Sequence, residues 1–253
     1  MASDEEAEQF LAYALQPRLR VRPRVSEALN GIDAREVKTP GGSLAAWRLG
    51  EGPAILLIHG WEDDHSLWTR MILALEARGR GIVVFDLPAH GFSEGEICTP
   101  ALAARAIAAV AAQMGPIEAV VTHSFGGPAA ALAMTQGLSV ERAVFIAPPL
   151  MDGSRWGQAE HLADAPAELK ARARDLYEAR DASAKFDVLA AARGLSARAL
   201  IAHSADDEEV PLSEALAIAD AWPGAETLIV DGLGHRLIAQ EPDVIGRVID
   251  FLD

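Results

Sequence analysis

Serine, histidine and aspartate, the residue types that nucleophilic acyl transfer requires, each stand just past an apolar run in this sequence. Ser124 follows Val120-Val121-Thr122-His123 and precedes Phe125-Gly126-Gly127-Pro128-Ala129, a pattern that reads as a strand, a sharp small-residue turn and then a helix. His235 closes Asp231-Gly232-Leu233-Gly234-His235 behind the run Thr227 to Val230, and the pair Asp206-Asp207 lies between Ala199-Leu200-Ile201 and Val210-Pro211. A serine hydroxyl is a weak nucleophile near neutral pH until an imidazole accepts its proton. A carboxylate behind that imidazole fixes its tautomer and stabilises the imidazolium. A serine before two glycines is also an ordinary helix N-cap, so the chemistry depends on whether the chain brings these groups together.

Composition narrows the possibilities. The 253 residues are 50% hydrophobic and carry a formal net charge of −15. Such a chain can bury one large core, and its charge works against binding to phosphate backbones or anionic lipid, so nucleic acid is not an expected partner. The single cysteine, Cys98, excludes an intramolecular disulfide, and no Cys/His spacing resembles a structural zinc site. The consecutive Glu62, Asp63, Asp64 and His65 do not lie on a common face and read as a solvated loop with no metal implied; no cofactor is expected, since a serine–histidine–aspartate cycle needs none. Met1-Ala2-Ser3-Asp4-Glu5-Glu6 is acidic where a secretory signal is basic and then apolar. No apolar run approaches the roughly 20 residues of a membrane span. A cytoplasmic protein that does not associate with membranes is expected, with its oligomeric state left open.

The elements that must position the reactive groups follow from periodicity. Asp4 to about Gln16 has helical spacing behind an acidic first turn and stops at Pro17; Arg18 to Arg24 reads as a solvated linker. Ala34 to Thr39 and Ser43 to Leu49 form a hairpin signal around Pro40-Gly41-Gly42. Unbroken apolar runs then appear at Ala54 to Ile58, Ile82 to Phe85, Ile117 to Val121, Ala143 to Ile146, Ala199 to Ile201 and Thr227 to Val230. Runs without period-two alternation indicate strands buried on both faces, as in a parallel sheet covered by helices. The helices are expected at Ser66 to Ala77, Pro100 to Met114, Phe125 to Gln136, Ser213 to Ala221 and Ile238 to Leu252. Between the sixth strand and Arg198 no strand is evident, which suggests a helical cap inserted over the strand ends. The expected division is an N-terminal helix and linker over 1–33, a core over 34–149 and 195–253, and a cap over 150–194.

Five motifs in this order resemble those of the α/β-hydrolase superfamily, over about Ala34 to Asp253. Thr122-His123-Ser124-Phe125-Gly126 resembles the nucleophile elbow G-x-S-x-G, with Thr122 where the first glycine usually stands. His59-Gly60-Trp61 resembles the loop that helps form an oxyanion hole. That likeness implies that the backbone N–H groups of Trp61 and Phe125 face the developing oxyanion, with His59 structural. Asp86-Leu87-Pro88-Ala89-His90-Gly91-Phe92-Ser93 resembles the family's D-x-P-x-H-G-x-S loop, in which Asp86 and His90 support the fold. Aligning Val210-Pro211 on the strand-end pattern that ends in V-P selects Asp207 as the acid, with Asp206 the alternative one residue away. Gly232-Leu233-Gly234-His235 resembles the loop that delivers the catalytic histidine.

The resemblance implies an α/β-hydrolase fold, a mostly parallel central sheet flanked by helices with a short helical cap after the sixth strand. It also implies the triad Ser124, Asp207 and His235. A serine at the elbow argues against the aspartate-nucleophile branches. The expected reaction is hydrolysis of a small to medium apolar carboxylic ester through an acyl-enzyme. Thioester or C–C hydrolysis, or a cofactor-free perhydrolase, would use the same triad, and a non-catalytic ligand-binding or signalling module is the alternative of another class. Met151, Trp156 and Leu162 are candidate substrate-binding residues, and Leu150, Leu169, Leu176 and Tyr177 are further candidate lining residues of the cap.

Overall fold

The computed structural model describes residues 3–18, 24–150, 162 and 164–253. The apolar runs become strands because every residue of Ala54–Ile58 and Gly81–Phe85 is buried, which only a sheet covered on both faces provides. Among the described residues the strands are β1 (Arg35–Thr39), β2 (Gly42–Leu49), β3 (Ala54–Ile58), β4 (Gly81–Phe85), β5 (Ile117–His123), β6 (Arg142–Ile146), β7 (Arg198–Ser204) and β8 (Glu226–Val230). They form one sheet in the order β1-β2-β4-β3-β5-β6-β7-β8. The first hairpin is antiparallel and joins β4 antiparallel through β2, whereas all pairs from β4 to β8 are parallel. The helices are α1 (Asp4–Ala14), α2 (Thr69–Glu76), α3 (Pro100–Met114), α4 (Gly126–Thr135), α5 (Ala167–Arg180), α6 (Val188–Gly194), α7 (Leu212–Ala221), α8 (Gly234–Leu237) and α9 (Pro242–Leu252).

Alternate side chains of the same strands feed two cores. Leu56, Ile58, Val83 and Phe85 pack with α3, α4 and α7 on one face; Ile55, Leu57, Ile82 and Val84 pack with α2 and α9 on the other. This is the mostly parallel, doubly covered sheet that the apolar runs imply. The expected final helix from Ile238 to Leu252 is interrupted. Ile238–Gln240 forms a 3-10 turn, Glu241 is extended at ψ 125°, and α9 restarts at Pro242. Proline lacks an N–H and disfavours the α conformation in the residue before it, so the break falls where it must.

The segment between β6 and β7 divides physically. Val188 and Ala192 of α6 lie in the main core, so this part of the expected cap packs into the helical layer beside α4 and α7. Helix α5 packs instead against α1, where Ala7, Leu11, Ala173 and Tyr177 form a separate buried cluster with Phe10, Leu15, Leu169 and Leu176 around it. The N-terminal helix and the inserted helix thus share one apolar interface. Ser3 fixes the start of α1 with a capping box through Glu6. Beyond α1, the Leu15 carbonyl accepts the amide N–H of buried Cys98 at 2.9 Å, and burial pushes the Cys98 thiol pKa up.

Candidate active site

The parallel strands all end on one side of the sheet, and the chemistry-bearing residues occupy the turns that leave those ends. Ser124 leaves β5 in the interior of the sheet, with a φ of 50°. That left-handed conformation is rare for a residue with a side chain. It is held by the Ser124 amide, which donates to the Ile146 carbonyl at 2.9 Å, and by helix α4, which starts two residues later. The turn fits only because its neighbours are small. A Cβ on Gly126 would stand 2.7 Å from the carbonyl oxygens of both Ile58 and His59, and one on Gly60 would stand 3.0 Å from Ser124 Cβ.

Thr122, standing where the resemblance has glycine, fits without displacing the elbow. Its side chain is fully buried and its hydroxyl donates to the Val144 carbonyl at 3.2 Å. The room comes from Gly127, whose missing side chain would otherwise meet Phe145 at 3.1 Å and Thr122 Oγ1 at 3.4 Å.

Ser124, His235 and Asp207 are brought into one chain of hydrogen bonds. Ser124 Oγ lies 2.9 Å from His235 Nε2, and His235 Nδ1 lies 2.7 Å from Asp207 Oδ2. With Nδ1–H donating to the carboxylate, Nε2 is left to accept the serine proton. The other Asp207 oxygen accepts the amides of Glu209 and Val210, each at 2.8 Å. Burial alone would raise the Asp207 pKa, but the hydrogen bonds from His235 and Val210 and the nearby imidazoles hold it below its usual value.

Asp206 serves a different loop. Its Oδ1 accepts the Ser204 hydroxyl and the amides of Gly232 and Gly234, at 3.0 and 3.1 Å for the amides, while Ser204 Oγ accepts the Leu233 amide at 3.2 Å. These bonds, the Ser204 hydroxyl foremost, keep the Asp206 carboxyl below its usual pKa. The two adjacent aspartates therefore divide the work: one faces the imidazole and the other clamps the turn that carries it.

The loops from β3 and β4 are braced by buried histidines. His59 donates from Nδ1 to the Gly60 carbonyl at 2.7 Å and accepts the Leu87 amide on Nε2 at 2.9 Å. His90 donates to the Pro88 carbonyl and accepts the Glu62 amide. Burial holds the pKa of both below the ordinary value, so both are neutral supports near pH 7. Asp86 accepts the backbone and Nδ1 N–H groups of His65 and the Phe92 amide, and a Cβ on Gly91 would fall 2.1 Å from its carboxylate. The expected solvated loop at Glu62 to His65 is corrected here. His65 is fully buried beneath Trp47 at 4.3 Å, and Asp64 caps the following turn. Consecutive acidic residues looked solvated because their sequence does not reveal the inward turn.

Trp61 follows Gly60 beside the serine, and its ring meets the Phe125 ring edge-on at 5.7 Å. Arg236 reaches Asp63 at 2.9 Å, tying the histidine loop to the Trp61 loop. Leu162 is buried, while Met151 and Trp156, with most of the linker Arg18 to Arg24, lie outside the described residues. Leu169, Leu176 and Tyr177 pack against α1, because its apolar face covers them. Sequence reasoning missed two further residues, His123 and His203. The available signal was a histidine at or next to the C-terminal end of a strand whose preceding residues form a mostly apolar, buried run, where an imidazole must find a partner.

Residues 55–248 match the model of the alpha/beta hydrolase family, and the chain belongs to that family. A pimeloyl-[acyl-carrier protein] methyl ester esterase of Xanthomonas campestris pv. campestris is 33% identical over 113 residues, 44% of this chain and 44% of the esterase. The chain thus spans under half the length of that relative. An uncharacterized protein of Mycobacterium tuberculosis is 30% identical over 209 residues, covering 79% of this chain and 68% of its own length. Among solved structures, an esterase of Pyrococcus furiosus superposes with a TM-score of 0.71 at 18% identity, covering 94% of this chain and 98% of the esterase. Among the described residues no helix is long and apolar enough to cross a membrane.

Proposed function

We propose that this chain is a serine hydrolase that cleaves small to medium apolar carboxylic esters through an acyl-enzyme. The observation that carries the proposal is the continuous relay from Ser124 Oγ to His235 Nε2 at 2.9 Å and from His235 Nδ1 to Asp207 Oδ2 at 2.7 Å. Ester bonds are also what the matched Xanthomonas campestris protein is named for cleaving.

The relay works by moving one proton. His235 Nε2 takes the hydroxyl proton as Ser124 Oγ attacks the acyl carbon, and Asp207 stabilises the imidazolium that forms. The negative charge then sits on the former carbonyl oxygen, where the backbone N–H groups of Trp61 and Phe125 receive it. Donors aimed at that oxygen act only as charge develops, so they lower the barrier without merely tightening substrate binding. Collapse transfers the proton from His235 to the departing alcohol. Water then repeats the sequence on the acyl-serine, with His235 as base, and releases the acid.

Fluorophosphonate labelling followed by peptide mapping tests the nucleophile, and p-nitrophenyl esters of graded chain length test the reaction. Labelling at Ser124 with turnover of short and medium esters is expected, and both are lost in Ser124→Ala. A wild-type protein that neither labels nor hydrolyses any of these esters would falsify the proposal.

A further inference from the structure

Two buried histidines with no part in the proton relay lie beside it. His123 immediately precedes the serine, is 1% exposed, and donates from Nε2 to the backbone carbonyl of His235 at 2.8 Å. Its ring lies 4.9 Å from the His235 ring. His203 precedes the acid by four residues, is fully buried, and donates from Nε2 to the Val210 carbonyl at 2.9 Å, with Asp207 Oδ2 3.5 Å from the same nitrogen. In both rings Nδ1 is buried with no hydrogen-bond partner among the described residues. A bare buried lone pair costs free energy that an apolar side chain would not, so the imidazoles must return something through the other nitrogen.

What each Nε2–H touches identifies that return. His123 spans from the elbow of β5 to the loop after β8, fixing the backbone of the residue whose ring must sit 2.9 Å from Ser124 Oγ. His203 closes the turn after β7 by holding Val210, whose amide, with that of Glu209, orients Asp207. We propose that His123 and His203 are positioning residues of the triad, each using Nε2–H to pin the backbone of a loop that carries one of the other two members. The inference rests on the serine-hydrolase reading above. His123 also stays neutral: burial, and then the neighbouring His235, push its pKa down to about 3, so it adds no positive charge beside an imidazole that must itself become cationic.

Substitution with glutamine, asparagine and leucine separates positioning from packing. Glutamine places an amide N–H close to the Nε2 position, asparagine places one only near Nδ1, and leucine supplies none. For His123→Leu and His203→Leu, kcat on a p-nitrophenyl ester should fall about 10- to 100-fold at nearly unchanged KM, the loss expected from misplacing a catalytic group by around 1 Å. His123→Gln and His203→Gln should recover most of it, and the Asn variants should not. The downfield proton NMR signal of His235 Nδ1–H bonded to Asp207 should broaden or shift in the Leu and Asn variants and persist in the Gln variants. Should a Leu variant fail to fold, the Gln and Asn pair carries the test. Equal kcat and equal NMR signals for Gln and Asn, or a folded Leu variant with wild-type kcat, would overturn the proposal. The NMR arm reads loop position in a protein with no turnover, so failure of the esterase reading alone leaves a distinct signature.

Discussion

At the scale of single residues, Asp206 and Asp207 show how one position changes a role. Both hold depressed pKa values, but Asp207 Oδ2 meets His235 Nδ1 at 2.7 Å while Asp206 Oδ1 meets the amides of Gly232 and Gly234. Asp207→Asn keeps the shape and loses the charge that selects the tautomer, so kcat on a p-nitrophenyl ester should fall about 10⁴-fold. Asp206→Asn retains an acceptor oxygen for the clamped turn and should cost about 10-fold or less. Parallel kinetics on the two variants check the division, and a larger loss in Asp206→Asn would reverse the assignment. Spacing alone could not separate the two, because a one-residue offset in a turn redirects a side chain without changing the sequence pattern around it.

At the scale of elements, the elbow depends on the near-contact of β5, α4 and the loop after β3. Gly126→Ala drives a Cβ against two backbone carbonyls at 2.7 Å, neither of which is a flexible side-chain end. The substitution should lower unfolding free energy by about 1–3 kcal/mol and also reduce fluorophosphonate labelling as Ser124 is displaced. Urea denaturation and labelling rate measure the two effects separately. The element scale is also where the sequence was most legible. Unbroken apolar runs such as Ala54–Ile58 located strands buried on both faces, and local motifs located the turns that hold Ser124 and His235. What periodicity could not convey was partnership between distant elements. An amphipathic stretch shows that a face is covered but not by what, so the packing of α1 on α5, with Leu169, Leu176 and Tyr177 in the contact, was not legible. Nor was the inward turn of His65, since its partner Asp86 lies 21 positions away.

At the scale of the whole molecule, buried neutral histidines set the response to acid. His59, His90 and His123 all have pKa values lowered by burial from the ordinary 6.5, to about 3 for His123. The unfolded chain takes up these protons first, so their effect on stability is absent above about pH 6.5 and grows as pH falls. It stops growing for His123 near pH 3, where the folded form is protonated too. Each histidine removes up to about 1.4 kcal/mol per pH unit within its window. Thermal unfolding should therefore show Tm falling steadily below about pH 6.5, and less steeply in His123→Gln; an unchanged Tm down to pH 4 would contradict this account. A second whole-molecule test concerns the α1 and α5 contact. Leu11→Ala removes a buried anchor of that cluster, and its typical cost of about 2–5 kcal/mol should appear as faster amide exchange in α5 with the sheet still protected. The seclusion of Cys98 makes the same contact open to direct measurement. The protein's one native thiol is buried and has a raised pKa, so thiol-reactive dyes should pass it over in the folded state. Ala77→Cys and Ala171→Cys, both at exposed positions, would then take a fluorophore pair with Cys98 left in place, and the energy transfer between them would report the distance from α5 to the C-terminal end of α2 during turnover.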